Sequence, residues 1–395
     1  MKAIHYIYTL LAAAMLLASC TNDDTDFGQL VPDRDFESLG VELDYSALTE
    51  PQETVPADDN DYVENNTFDA VVSISFSGST AVVSGAGTGV SVQTDGAHVT
   101  VSSSTRSVEY VLSGASSDGS FKIYSRNKFK VVMNGVQLHN PHGAAVNSQC
   151  GKSMYVVLAD GTTNKLSCGS DFVFAGSEKQ KGAMFSEGQI LFSGTGSLQV
   201  ESAYKSGIAS DDYLLFRPGV HIDVSSTAGN GLKANDGIYI RGGVLNIQTS
   251  ADGGKAINCE DSIKVSGGRT TAIATGTYLV EGTDTTNVAA LKCDSSLIVS
   301  GGALYLKSSG RGAKGIKANG DVLVSGGDVR VLALGASSES SPKAVKCDGK
   351  ATVSGGSFYA YSKHSSAITA DKGFSHADGS KSSDIRGKWL YYVSY

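Results

Sequence analysis

From about residue 206 onward the chain repeats one pattern of apolar and polar positions. In the copy AKGIKANGDVLVSGGDVRVL, Ile316 and Ala318 point one way, as do Val322 and Val324 and then Val329 and Val331, while Lys317, Leu323 and Arg330 point the other. Alternation of period two over four to six residues, broken each time by Asn-Gly or Gly-Gly, predicts short strands rather than helices. The anchor residues of successive copies are Ile208, Leu232, Ile257, Leu291, Ile316, Val345 and Ile368, at intervals of 24, 25, 34, 25, 29 and 23 residues.

Three short strands per repeat make one coil of a three-faced solenoid. A single coil has no core of its own, so its inward residues must be buried by the coils above and below. The expected fold is therefore all-β, a right-handed parallel β-helix, since parallel crossovers take that hand. About 13 coils spaced ~4.8 Å apart would give a rod roughly 65 Å long. A β-propeller is disfavoured because its blades repeat at about 40 residues or more, and a sandwich keeps no fixed period. Gly-Gly pairs at 242-243, 267-268, 301-302, 326-327 and 355-356 hold one place in five coils, as expected of a turn that needs positive φ. Composition agrees: 47 Gly with only 6 Pro suits a β protein rich in tight turns.

The first residues break the pattern. Lys2, an apolar run from Tyr8 to Ala18 and the exit Leu17-Ala18-Ser19-Cys20 read as a signal peptide over residues 1–19. The LASC tetrapeptide resembles a bacterial lipobox, which implies lipidation of Cys20. An acidic run, Asn22 to Asp26, then resembles the export tag of surface lipoproteins. The expected location is the outer membrane, lipid-anchored and exposed at the cell surface, with membrane contact only through the lipid. Residues 21–65 carry 14 acidic groups against the single Arg34 and few large apolar residues. Such a stretch predicts a lipidated, disordered acidic tether over 20–65. The remainder, 66–395, forms the β-helix domain. It holds 30 basic and 26 acidic residues, mildly basic although the whole chain is at −8. That balance favours an anionic partner, and no Arg-rich or aromatic-interleaved run points to nucleic acid. The chain is expected to be a monomer.

The stretch NKFKVVMNGVQLHNPHGAAV, the decapeptide LADGTTNKLS at 158–167 and the coils carrying SGG resemble the bacterial carbohydrate-binding domain-containing family, right-handed parallel β-helices similar to pectate-type polysaccharide lyases. The resemblance runs from about Phe68 to about Phe374. It implies polysaccharide binding without catalysis, with Ca2+ at some acidic coil turns. Members of that family often begin a coil with Asp-Gly-Ile, whereas here Asn230, Lys255, Lys314 and Lys343 take the Asp position.

Stacked coils turn sequence columns into ladders. After the anchor come Lys233, Lys292, Lys317 and Lys346, with Asn258 interrupting the series. Alternation points them outward on one flat face, where several ammonium groups could bind a polymer of uronic acids or sulfated sugars; the plainer reading is that each pairs with a nearby carboxylate. Two residues further on stand Asp211, Asn235, Glu260, Asp294, Asn319, Asp348 and Asp371. These residues cap tight turns, but the pairs Asp211-Asp212 and Glu260-Asp261 are also candidate calcium ligands.

Cys259, Cys293 and Cys347 share an inward column of small residues. Bridges Cys259–Cys293 and Cys150–Cys168 are both open in an oxidising compartment, as are buried thiols. His139 and His142 read as turn residues rather than metal ligands. Outward Tyr239, Tyr305 and Tyr359 are candidates for stacking on sugars, while Trp389, Tyr391, Tyr392 and Tyr395 predict an aromatic strand capping the last coil. Longer intervals place insertions at 278–287 and 337–342. Three functions compete: a surface polysaccharide-binding lipoprotein without catalysis, a calcium-dependent polysaccharide lyase with a Lys base, and an adhesive or structural stalk.

Overall fold

The computed structural model describes residues 41–50, 53–282, 284–337, 340–377 and 388–394. The signal peptide, Cys20 and the acidic run after it lie outside the described residues. The repeat folds as expected into a parallel β-solenoid, with about 11 turns rather than about 13. The difference comes from chain length per turn: the early strand Phe129–Asn140 alone runs through 12 residues, and two later coils carry insertions.

Each coil contributes one strand to each of three faces. The first face is a 12-stranded sheet that includes Ser206–Ser210, Leu232–Ala234, Lys255–Cys259, Ala289–Cys293, Lys314–Ala318, Lys343–Cys347 and Ile368–Ala370. Its register pairs the anchors in order: Ile208 with Leu232, then Ile257, Leu291, Ile316, Val345 and Ile368. All seven are buried. The second face contains Met154–Leu158, Ile190–Gly194, Tyr213–Phe216, Gly237–Ile240 and their successors to Phe374–His376. The third contains Thr163–Cys168, Ser197–Ser202, His221–Ser226, Val244–Thr249 and their successors to Ser357–Ser366.

Gly-Gly turns link the second face to the third. The second glycine of each pair has positive φ, from 70° at Gly268 to 85° at Gly327. A Cβ on Gly302 would also lie 2.6 Å from the backbone carbonyl of Gly267 in the preceding coil, so the stacked turns admit only glycine there. The inner column at the far end of the first-face strands contains Ser210, Ala234, Cys259, Cys293, Ala318, Cys347 and Ala370 in register. Cys150, Cys168, Cys259, Cys293 and Cys347 are buried free thiols.

Both ends depart from parallel stacking. The rod begins with antiparallel pairs, Ala70–Ser77 with Thr80–Ser84 and Val90–Asp95 with Ala97–Ser103. It ends with Lys388–Ser394 running antiparallel to Ser357–Ser366. This last strand carries the sequence read as an aromatic cap; its side chains, and Tyr395, lie outside the described residues. The insertion at 278–287 folds into a small hairpin, Leu279–Glu281 against Asp284–Thr286.

The acidic stretch differs from expectation. Read as a solvated tether to residue 65, it lies against the coils from Val41 onward, within the same compact unit. Val41 is fully buried and Tyr62 is 4% exposed. The reason is electrostatic. Asp44 pairs with Arg269, Glu53 and Glu64 with Arg217, and Asp59 and Asp61 with Arg241, all between coils far away in sequence.

Candidate functional site

The lysine column stands where alternation placed it. Lys233, Asn258, Lys292, Lys317 and Lys346 are direct cross-strand neighbours in successive coils of the first face. Adjacent coils are ~4.8 Å apart, so three successive ammonium groups, from Lys292 to Lys346, share one surface. Three of the four lysines have local carboxylates. Lys233 pairs with Glu260, Lys292 with Asp294 at 2.6 Å, and Lys346 with Asp371 at 2.6 Å and Asp348 at 3.2 Å. Lys317, between Lys292 and Lys346, forms no ion pair among the described residues. Although burial opposes it, hydrogen bonds to Asp371 and Asp348 hold Lys346 above its ordinary pKa.

A second lysine column lies two positions before the anchors, on the same sheet: Lys255, then Ala289, Lys314 and Lys343 in register. Their ammonium groups hold the carbonyls and hydroxyls of the coil corners. Lys314 donates to Gly312 O, Ser340 Oγ and Ser341 O, Lys255 to Gly253 O at 2.7 Å, and Lys343 to Ser365 Oγ and Ser366 Oγ. Burial, helped by the ammonium groups of Lys292 and Lys317, lowers Lys255 to about 8. Burial beside Lys343 and Lys317 does the same to Lys314. These lysines stand at the coil entrances where the family resemblance led Asp to be expected. Each fills a corner with its own cation. The two columns thus place seven lysines on one sheet, four along its outer surface and three at its edge.

The model of the carbohydrate-binding domain-containing protein family matches residues 95–382, which includes every one of these lysines. The chain belongs to this family. One solved structure, described as that of a polysaccharide lyase-like protein from C. thermocellum in its gadolinium derivative, is similar over 71% of this chain and 95% of that one, at 20% identity and a TM-score of 0.44. No curated protein matches the chain.

Within the carbohydrate-binding domain, the tyrosines do not join the lysines. Tyr239 is on the second face, 5.5 Å from Tyr213 in an edge-to-face contact, and packs against the cluster of Tyr155, Leu191 and Leu215 that Val63 and Phe68 of the acidic segment also cover. Tyr305 and Tyr359 are on the third face, with the Arg330 guanidinium between them at 4.8 and 5.7 Å from the ring centroids. Tyr359 is only 7% exposed, and its strand is paired on its outer edge by the terminal strand, so its ring is poorly placed for a sugar.

The carboxylates read as calcium ligands are engaged elsewhere. Asp211 pairs with Lys181, Asp212 accepts from Gln189, Glu260 pairs with Lys233, and Asp261 accepts from Ser262. Among the described residues no three His, Cys, Asp or Glu side chains gather into a metal-binding group. This donor set does not fit calcium, which takes six to eight oxygens. His142 sits in a turn and bonds the carbonyl of Asp171, whereas His139, expected in the same turn, lies within the strand Phe129–Asn140 and bonds its ladder neighbour Ser167.

Two features were missed by sequence reasoning. The second lysine column was visible only as a departure from a family pattern, although its fixed offset from the anchors was a usable signal. The arginine row under the acidic segment had no such signal, because its partners lie 150 to 225 residues away.

The lowered pKa of Lys314 has a measurable consequence. Its folded value of about 8 lies below the ~10.4 of an unfolded lysine, so between these values the unfolded chain keeps a proton that the folded one has released. Stability contributed by this site therefore rises with pH across that window, and below about pH 8 the fold bears the full cost of a buried ammonium. Relative to Lys314→Met, the native chain should gain on the order of 2 kcal/mol between about pH 7.5 and pH 9.5. Urea unfolding of both proteins at the two pH values measures it. A difference that does not change with pH would show that Lys314 keeps an ordinary pKa.

Proposed function

We propose that the chain is a non-catalytic module that binds an acidic polysaccharide along the lysine ladder of its first face, exported and held at the outer surface of the outer membrane by a lipid on Cys20. The observation that carries this reading is Lys317. Among the described residues its ammonium group has no carboxylate partner, and it stands between two other lysines on a flat strand face. The repeat places cations at the spacing of coils, while uronic acid or sulfated polymers carry anions at regular intervals. Such a face needs no enclosed pocket, and its attraction weakens as salt screens it. The paired lysines contribute less, because a ligand must first displace Asp294, Asp348 or Asp371.

Affinity electrophoresis in gels containing polygalacturonate, with a neutral polysaccharide as control, tests the reading. The native chain should be retained only by the acidic gel. The triple variant Lys292→Ala, Lys317→Ala, Lys346→Ala should lose at least about tenfold in affinity, the equivalent of ~1.4 kcal/mol. Among single changes, Lys317→Ala should weaken retention more than Lys233→Ala. Unchanged retention by the triple variant would overturn the assignment. Running the gels with calcium and with chelator shows whether an ion bridges sugar and protein. Lys255, half-buried with a pKa near 8, is the residue that best favours a lyase reading. A rise in ultraviolet absorbance from unsaturated products on polygalacturonate would replace the non-catalytic reading with that one.

A further inference from the structure

The acidic segment covers a surface whose chemistry resembles that of a binding site. Outward on the second face, Tyr155, Leu191, Leu215 and Tyr239 form one ladder across four coils, with Tyr213 beside them. At the end of two of these strands, one coil apart, stand Arg217 and Arg241. Aromatic and aliphatic rungs flanked by guanidinium groups suit a polymer whose rings stack and whose carboxylates need bidentate donors.

In this structure residues 53–68 occupy that surface, and they do so with the chemistry of such a polymer. Glu64 accepts from both terminal nitrogens of Arg217, at 2.7 and 3.1 Å, while Glu53 takes its Nε at 2.8 Å. Asp59 and Asp61 face Arg241 at 3.6 and 3.4 Å. The ring of Tyr62 lies under both guanidinium groups, 4.3 Å from Arg217 and 5.3 Å from Arg241. Tyr155 donates to the carbonyl of Asn60 and Tyr213 to Asp61. Upstream, Glu50 accepts from the turn amides of Gly219 and Gly243.

The way the segment is held bears on whether it can leave. Among the described residues, no backbone-to-backbone hydrogen bond ties 41–50 or 53–66 to the coils; the three within 59–66 are local. Its attachment is by side chains, chiefly ion pairs, and the outer carboxylates reach solvent: the Glu64 side chain is 49% exposed. A second polyanion can compete for the same arginines without opening any strand ladder.

We infer that the face formed by Tyr155, Tyr213, Tyr239, Arg217 and Arg241 is a second binding site for acidic polysaccharide, and that the acidic segment is its built-in occupant. The inference rests on an acidic glycan being the ligand class but not on the lysine ladder. Polygalacturonate displaces the segment, and the exposed face then binds the polymer.

The test uses the full chain carrying Lys292→Ala, Lys317→Ala and Lys346→Ala, so that the first face is weakened. Adding Glu53→Gln, Asp61→Asn and Glu64→Gln should raise its affinity for polygalacturonate at least tenfold, read by titration calorimetry. In the native chain, saturating polygalacturonate should speed protease cleavage within residues 41–66, mapped by mass spectrometry, at least severalfold. The second measurement needs no variant and stands if the charge-neutralised one fails to fold. Unchanged cleavage in the native chain, with no gain in affinity for a folded variant, overturns the inference. Neither result depends on whether the lysine changes weakened binding, so failure of the ladder and failure of this second site are told apart.

Discussion

Phe216→Ala is expected to destabilise the protein by about 3–5 kcal/mol, the range for emptying a large buried aromatic site. Phe216 is fully buried on the inner side of the second face and stacks on Phe192 of the preceding coil, ring centroids 5.1 Å apart and planes 2° from parallel. The two are direct neighbours in the ladder, with Val156 before them and Ile240 after. A flat sheet fixed by its hydrogen bonds on either side cannot close over the hole, so little of the lost contact is recovered. Because every coil is stabilised only through its neighbours, the loss weakens both adjoining interfaces. Equilibrium urea unfolding measures it, and a loss below about 1 kcal/mol would show that the stack contributes no more than an average small side chain.

Arg217→Met should cost about 2–4 kcal/mol and also loosen the acidic segment. The arginine is 6% exposed, and losing it leaves Glu64 without its cation and Glu53 with only the Tyr62 hydroxyl, at 2.8 Å, in a partly buried place. Removing one member of a fully buried pair costs about 3–5 kcal/mol. The estimate here is lower because Glu64 can turn to water. Tyr62 loses the guanidinium over its ring as well. A thermal melt gives the stability change, and limited proteolysis should cut within residues 41–66 in the variant before it cuts the native chain. Equal cleavage of the two would mean that the segment is held mainly by Val41 and the apolar contacts of Val63 and Phe68.

What sequence alone could show follows from the range of the interactions. The coil is built from contacts between residues about 25 positions apart that recur, so one reading of the anchors placed Lys233, Asn258, Lys292, Lys317 and Lys346 in their actual register. The Gly-Gly turns were legible for the same reason. Three-sidedness limited the rest. Alternation shows that Tyr239 and Tyr305 point outward but not that they stand on faces different from the lysines, and neighbouring arginine and tyrosine rungs were invisible. The acidic segment was read as a tether because its composition resembles one. Its few buried residues, Val41 and Tyr62, were too sparse to signal order, and its arginine partners carry no periodic mark. Local carboxylates for Lys233, Lys292 and Lys346 match the plainer reading of that column, which makes Lys317 the more informative residue.

The reversed strands at the two ends of the rod bear on assembly. A parallel coil exposes a row of unpaired amides and carbonyls at each end, an invitation for another copy to add on and for the addition to repeat without limit. Here the leading edge starts with antiparallel hairpins, and the third face finishes with a strand running backwards. At these edges the parallel register of the coils is interrupted. Continuation of the third-face ladder into another copy is thereby opposed, while among the described residues the first and second faces end on the parallel strands Ile368–Ala370 and Phe374–His376.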